Sequence, residues 1–126
     1  MKYLSLSAIL LMLLMGSCYY DDPPVPPEID PDLVSFNSNI VPIFERACDS
    51  PGCHDTGAVP PDLTAENAYD ALLSGGYVNT TIPESSNLYL RVEGTSAGGL
   101  MPPEGSLPQI EIEYILAWIK KGALND

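Results

Sequence analysis

One histidine, one tryptophan and five basic residues are all that 126 positions supply of those types. A lone histidine, His54, excludes every site built on two imidazoles. No serine–histidine motif accompanies it, and no glycine-rich phosphate loop is present, so the common frameworks of nucleophilic and phosphoryl-transfer enzymes are missing. The reading is therefore not an enzyme. Seventeen acidic residues against five basic ones give a net charge of −12, a surface that repels nucleic acid and anionic lipid headgroups. No segment alternates apolar and polar residues with a strand period over a useful length, and no internal repeat is visible, which points to an all-α fold.

The longest apolar run, Leu4 to Met15, is shorter than the ~20 residues of a spanning helix and follows Lys2. Residues 1–17 read as a signal peptide. Cys18, directly after Gly16-Ser17, resembles the lipidated cysteine of a bacterial lipobox; the alternative is an ordinary signal peptide with an incidental cysteine. Residues 18–33 read as a tether. Five prolines between Pro23 and Pro31 favour extended polyproline geometry, and five acidic residues between Asp21 and Asp32 keep it solvated. Acidic residues soon after Cys18 also resemble the surface-export signals of Bacteroidetes lipoproteins. The expected location is the cell envelope, lipid-anchored to a periplasmic or outer membrane, with exposure at the cell surface a further case. Removing residues 1–17 takes Lys2 away and makes the balance more acidic still. Outside the cytoplasm, thiols oxidise unless chemistry protects them.

Residues 34–126 read as one small domain of about four short helices joined by long loops. Phe36, Ile40, Ile43, Phe44 and Ala47 fall at helical spacing, with Asn39 as the expected cap and Pro42 in the first turn. Thr64 is the expected cap of a second helix carrying Ala65, Ala68, Tyr69, Leu72 and Leu73, stopped by Gly75-Gly76. Ser85 or Ser86 caps a third, with Leu88, Tyr89 and Val92 buried and Gly94 at its end. The last helix follows Pro108, carries Glu111 and Glu113 near its start and Lys120-Lys121 at its end, and stops at Gly122. Ile112, Ile115, Leu116 and Ile119 make its apolar stripe, which Trp118 widens.

Cys48-Asp49-Ser50-Pro51-Gly52-Cys53-His54 holds two of the three cysteines and the only histidine. A Cys-His pair ends the attachment site of a c-type haem, where two thiols bond the vinyl groups and the imidazole takes the iron. The usual spacing puts two residues between the cysteines, and here there are four. Pro51-Gly52 is a turn pair that can bulge out the extra two. Once the signal peptide is gone, Met101 is the only methionine, so His54 and Met101 are what His/Met iron ligation needs; a methionine's other common use is core filler. The rivals are a Cys48–Cys53 disulfide in a surface lipoprotein without cofactor, and zinc, for which two thiolates and one imidazole fall short of four ligands. Arg91 is either a haem-propionate partner or a solvated charge at a helix end.

These pieces together resemble a known family, the small monohaem c-type cytochromes, and most of all the cytochrome domains of exported Bacteroidetes and Planctomycete proteins. The matching pieces are Ile40-x-Pro42-Ile43-Phe44, Cys53-His54, Pro61-Asp62-Leu63, Ser86-Asn87-Leu88-Tyr89, Met101-Pro102-Pro103 and Trp118-Ile119-x-x-Gly122-Ala123, spread over residues 36–123. The resemblance implies a cytochrome c-like fold around one covalent haem c and an electron carrier for a redox partner protein. The acidic surface suits either a partner with a basic docking face or simple solubility. It also implies that the Pro61 carbonyl accepts the His54 N–H, that Leu63 packs on the haem face, and that the first and last helices cross with contacts among Phe44, Ile115 and Trp118. If Met101 does not bind the iron, the alternative is a five-coordinate haem protein of peroxidase-like or gas-binding type.

Overall fold

The computed structural model describes residues 28–126; the expected signal peptide 1–17, Cys18 and the expected tether up to residue 27 lie outside them. The described residues form four α-helices and no strand, an all-α fold: α1 (Val41–Ala47), α2 (Ala68–Ser74), α3 (Asn87–Glu93) and α4 (Gln109–Lys120). No helix among them is long and apolar enough to cross a membrane.

The first helix begins earlier and differently than its pattern predicts. A wide π-turn, Phe36–Ile40, leads without a break into α1. Its cap is Ser35, whose hydroxyl accepts the Ser38 N–H at 3.3 Å. Asn39 is not a cap: its side-chain oxygen turns back to accept the Ser35 N–H at 2.8 Å. The free N–H groups that a helix start leaves over are also met from the far end of the chain. The Asp126 side chain accepts the Phe36 N–H at 2.9 Å and its carbonyl accepts that of Asn37 at 2.9 Å. Lys121 closes the clasp on the Asp126 carboxylate at 2.6 Å and on the Val34 carbonyl at 2.8 Å. The Lys121 hydrogen bond, ahead of that from Phe36, holds the Asp126 carboxyl below the usual carboxylate range.

The second helix also departs from expectation. It starts at Ala68 rather than after Thr64, because Asp62 draws Thr64, and with it Asn67, into a turn. The Asp62 carboxylate accepts the Thr64 N–H and hydroxyl at 3.1 and 2.6 Å and the Asn67 side-chain amide at 3.0 Å. Ala65 is thus exposed and outside the helix. For α3 and α4 the stops fall where glycine permits: Gly94 at φ +83° and Gly122 at φ +106°, a region that side-chain-bearing residues avoid.

One core joins these elements. Phe36, Phe44, Ile40, Leu72, Ile115, Trp118 and Ile119 are its fully buried large side chains. Phe36 is the hub: its ring lies 5.0 Å from Trp118, 5.4 Å from Tyr69 and 6.4 Å from Phe44, centroid to centroid. Phe36 is thus the ring that stacks nearest Trp118, and Phe44, Ile115 and Trp118 are all buried in this same core. The buried indole N–H donates to the Leu124 carbonyl at 2.8 Å. Ile29 packs on this core too, so the ordered body takes in the end of the expected tether. Phe36→Ala removes three aromatic contacts at once and should cost about 3–5 kcal/mol, a large share of the ~5–15 kcal/mol that stabilises a domain. Urea unfolding checks it; a loss below ~1 kcal/mol, the lower end for core truncations, contradicts the hub role.

Candidate functional site

Beside the core lies a cavity of about 530 Å³. Its walls come from the end of α1, the loop 48–63, α2, α3 and the loop around Met101; no residue of α4 lines it. Ile115 and Trp118 are fully buried in the core and are not part of the lining. The cavity gathers every site residue that the sequence singles out within the described part: Cys48, Cys53, His54, Pro61, Leu63, Met101 and Arg91. Cys18 lies outside the described residues.

The loop carrying the two cysteines is closed by its own backbone. Cys48 caps α1, its N–H on the Phe44 carbonyl at 2.7 Å. Ser50 to Cys53 then make a tight turn, with the Cys53 N–H on the Ser50 carbonyl at 2.8 Å. Pro51 and Gly52 occupy its centre, and Gly52 at φ +83° has the left-handed backbone that a type II turn demands after proline. The Gly52 N–H is held by the Asp55 carboxylate at 3.1 Å. The His54 N–H returns to the Cys48 carbonyl at 3.2 Å. The four intervening residues thus form a closed bulge that brings His54 back beside Cys48.

Both thiols are free and half-buried. Burial, and then the adjacent Asp49 carboxylate, pushes the Cys48 thiol up to about 11. At neutral pH Cys48 is the protonated S–H, not the reactive thiolate.

The imidazole is fixed by carbonyl oxygens alone. His54 Nδ1 lies 2.9 Å from the Val59 carbonyl and 3.0 Å from that of Pro61. Carbonyls only accept, so Nδ1 carries the proton and donates to them. A neutral ring then has its lone pair on Nε2, the form that binds a metal. The Leu63 N–H on the His54 carbonyl at 2.7 Å ties the same loop down. Val59 as a second acceptor was invisible in the sequence, since a backbone carbonyl leaves no signature in residue type.

Met101 reaches the cavity from a different segment. Its N–H donates to the Arg91 carbonyl at 2.8 Å, which docks the loop on the end of α3. The Met101–Pro102 and Pro60–Pro61 peptide bonds are cis. Leu63, Leu72, Leu88 and Val92 give the cavity an apolar lining; Asn87 joins it, as do Tyr77 and Gly98, which were not singled out from the sequence. Among the described residues no three His, Cys, Asp or Glu side chains cluster to hold a metal ion by themselves. The chemistry on offer is two thiols, one oriented imidazole and one thioether around an apolar space.

Comparison with protein-family models, with curated proteins and with solved structures found no match for the chain.

Proposed function

We propose that the chain is a membrane-anchored monohaem c-type cytochrome that carries single electrons between redox partners. The observation behind this reading is the convergence of Cys48, Cys53, His54 and Met101 on one apolar cavity. The residues fit a haem on four counts. The cavity's volume is within the roughly 300–1,000 Å³ of ligand and cofactor pockets. Two free thiols are available for two vinyl groups. The tautomer of His54, set by Val59 and Pro61, leaves Nε2 for iron. Met101 supplies a soft second donor, as His/Met ligation requires.

On this reading Cys48 and Cys53 would hold the haem through thioethers, His54 and Met101 would supply the donors to its iron, and Leu63 would pack against it. Bound haem supplies a one-electron couple. The protein orients the imidazole, keeps water from the apolar walls and leaves an edge open to a partner. A cytochrome c-like arrangement of the four helices belongs to the same reading. The test is a reduced-minus-oxidised spectrum of protein matured in cells with cytochrome c assembly machinery. Sharp α and β bands typical of low-spin haem c support it; a spectrum without haem overturns it.

Lipid anchoring through Cys18 is part of the proposal and is tested separately. Two acyl chains give stable membrane binding where a single one does not. Cys18→Ser should release the protein into the soluble fraction with its spectrum unchanged. Retention on membranes after a high-salt wash would place the anchor elsewhere.

A further inference from the structure

The turn between the two cysteines has no packing to hold it. Ser50, Pro51 and Gly52 are all exposed, so no buried apolar surface fixes their conformation, and the register of the bulge rests on hydrogen bonds. The backbone supplies the 2.8 Å bond from the Cys53 N–H to the Ser50 carbonyl and the longer 3.2 Å bond from the His54 N–H to the Cys48 carbonyl. A side chain supplies another: the Asp55 carboxylate accepts the Gly52 N–H at 3.1 Å. Among the described residues no other side chain bonds the backbone between Cys48 and Cys53.

Asp55 joins two parts of the site. Its carbonyl accepts the Ala58 N–H at 3.1 Å. The next residue, Val59, donates its N–H to the Cys53 carbonyl at 2.9 Å and accepts from His54 Nδ1 at 2.9 Å. The Asp55 backbone thus belongs to the loop that orients the imidazole, while its carboxylate reaches back to the bulge. The start of the bulge is fixed independently, since Cys48 is half-buried, packs on the core and caps α1.

We infer that Asp55, through its carboxylate on Gly52, is the positioning residue that holds Cys48 in register with Cys53 and His54, and so adapts the four-residue spacing to attachment at two points. The inference rests on the cytochrome reading. Attachment at Cys48 is an addition of its S–H across a vinyl C=C. Sulfur bonds one carbon and the thiol hydrogen ends on the other; the S–H bond and the π bond are lost, and no oxidant or reductant is consumed. The reacting carbon is placed by what His54 and Cys53 hold, so the yield at Cys48 depends on where the bulge sets its sulfur.

The experiment takes the matured protein, denatures it, treats it with iodoacetamide and follows the haem-bearing peptide 48–54 by mass spectrometry. Cys48 is alkylated only where it carries no thioether, and in the wild type most of this peptide should be unalkylated. Asp55→Ala should raise the ratio of alkylated to unalkylated peptide about 2- to 10-fold, the change that one ordinary hydrogen bond makes in an equilibrium. The α band of its reduced haem should move to longer wavelength, because a vinyl left unreacted stays conjugated with the ring. Asp55→Asn, which keeps the acceptor oxygen and drops the charge, should match the wild type. Asp55→Leu, similar in shape but without an acceptor, should follow alanine, and it decides the matter if the alanine variant does not fold. In a Cys48→Ala background, adding Asp55→Ala should leave haem content unchanged. Equal ratios in wild type, Asp55→Ala and Asp55→Leu overturn the inference while leaving the cytochrome reading intact, as does a wild type alkylated throughout. An Asp55→Asn variant that behaves like alanine also overturns it, by assigning the effect to charge. Haem lost from Cys48→Ala when Asp55→Ala is added overturns it too, by assigning the effect to the His54 loop. Wild-type protein that carries no haem overturns both readings.

Discussion

Mass spectrometry of the denatured mature protein should find haem on the peptide spanning residues 48–54, and replacing the two cysteines should have unequal effects. Cys53→Ala should lose most of the attached haem, whereas Cys48→Ala should keep a substantial part through one thioether. The asymmetry comes from the loop. Cys53 is next to His54, whose ring is held by two carbonyls. A group bound to His54 is therefore placed close to the Cys53 sulfur by covalent geometry. Cys48 owes its position to the closed bulge, in particular to the hydrogen bond between its carbonyl and the His54 N–H and to the Pro51-Gly52 turn. Its register is set by weaker interactions and has more freedom to be wrong. An unmodified peptide joined by a Cys48–Cys53 disulfide, recovered from cells competent for haem attachment, sinks the covalent-haem proposal. Equal loss in both variants would leave attachment standing but remove the argument from the loop.

The parts of the fold that were legible in the sequence are those governed by local chemistry. Gly94 and Gly122 end their helices because the chain needs φ beyond +80° there, and glycine is the residue that accepts it. The stripe of α4 is buried along Ile112, Ile115, Leu116 and Ile119 as its spacing requires. Cap assignments fared worse because several polar residues compete for the same N–H groups. Asn39 and Ser35 sit four residues apart and bond each other, so the cap went to the residue that the spacing did not favour. Asp62 lies before the expected second helix and captures Thr64 and Asn67 by side-chain bonds that no periodicity reveals. The hub role of Phe36 is a tertiary fact. Its ring gathers residues from α1, α2 and α4, and sequence separation hides them.

The cavity divides in the same way. His54, Cys48 and Cys53 stand out by residue type and spacing, and Met101 by elimination. Gly98 did not stand out, because one glycine in a loop rich in glycine and proline looks like a turn former. Its place on the cavity wall beside the Arg91 side chain is a tertiary fact. The relation of α4 to the cavity was also not available from its stripe. Periodicity says that a face is buried, not whether it meets a cofactor space or other side chains. Here it meets Phe36.

The second large effect concerns Met101. Replacement by histidine should keep a low-spin, six-coordinate haem but lower its potential by a few tenths of a volt, within the ~0.8 V that axial ligands span. Replacement by alanine should give a high-spin haem that binds carbon monoxide or azide readily, while the wild type resists both. A thioether is a soft donor that stabilises ferrous iron, so its loss favours the ferric state. His54 is the only imidazole in the chain, and Met101 is the only methionine in residues 18–126. The two lysines among the described residues are engaged elsewhere, Lys120 with Glu84 and Lys121 with Asp126 and Val34. Met101 lines the same cavity as His54, and its N–H on the Arg91 carbonyl holds the backbone at that wall. Two following prolines restrict the chain further, so the sulfur can be presented with little ordering entropy. Because α3 anchors the loop through a backbone bond, Met101→Ala should leave the fold and the covalent haem in place, and the spectrum then reports ligation rather than unfolding. A wild-type protein already high-spin at neutral pH, or a Met101→Ala variant with unchanged spectrum and potential, removes Met101 as a ligand. The open iron site would then move peroxidase-like or gas-binding chemistry ahead of simple electron transfer.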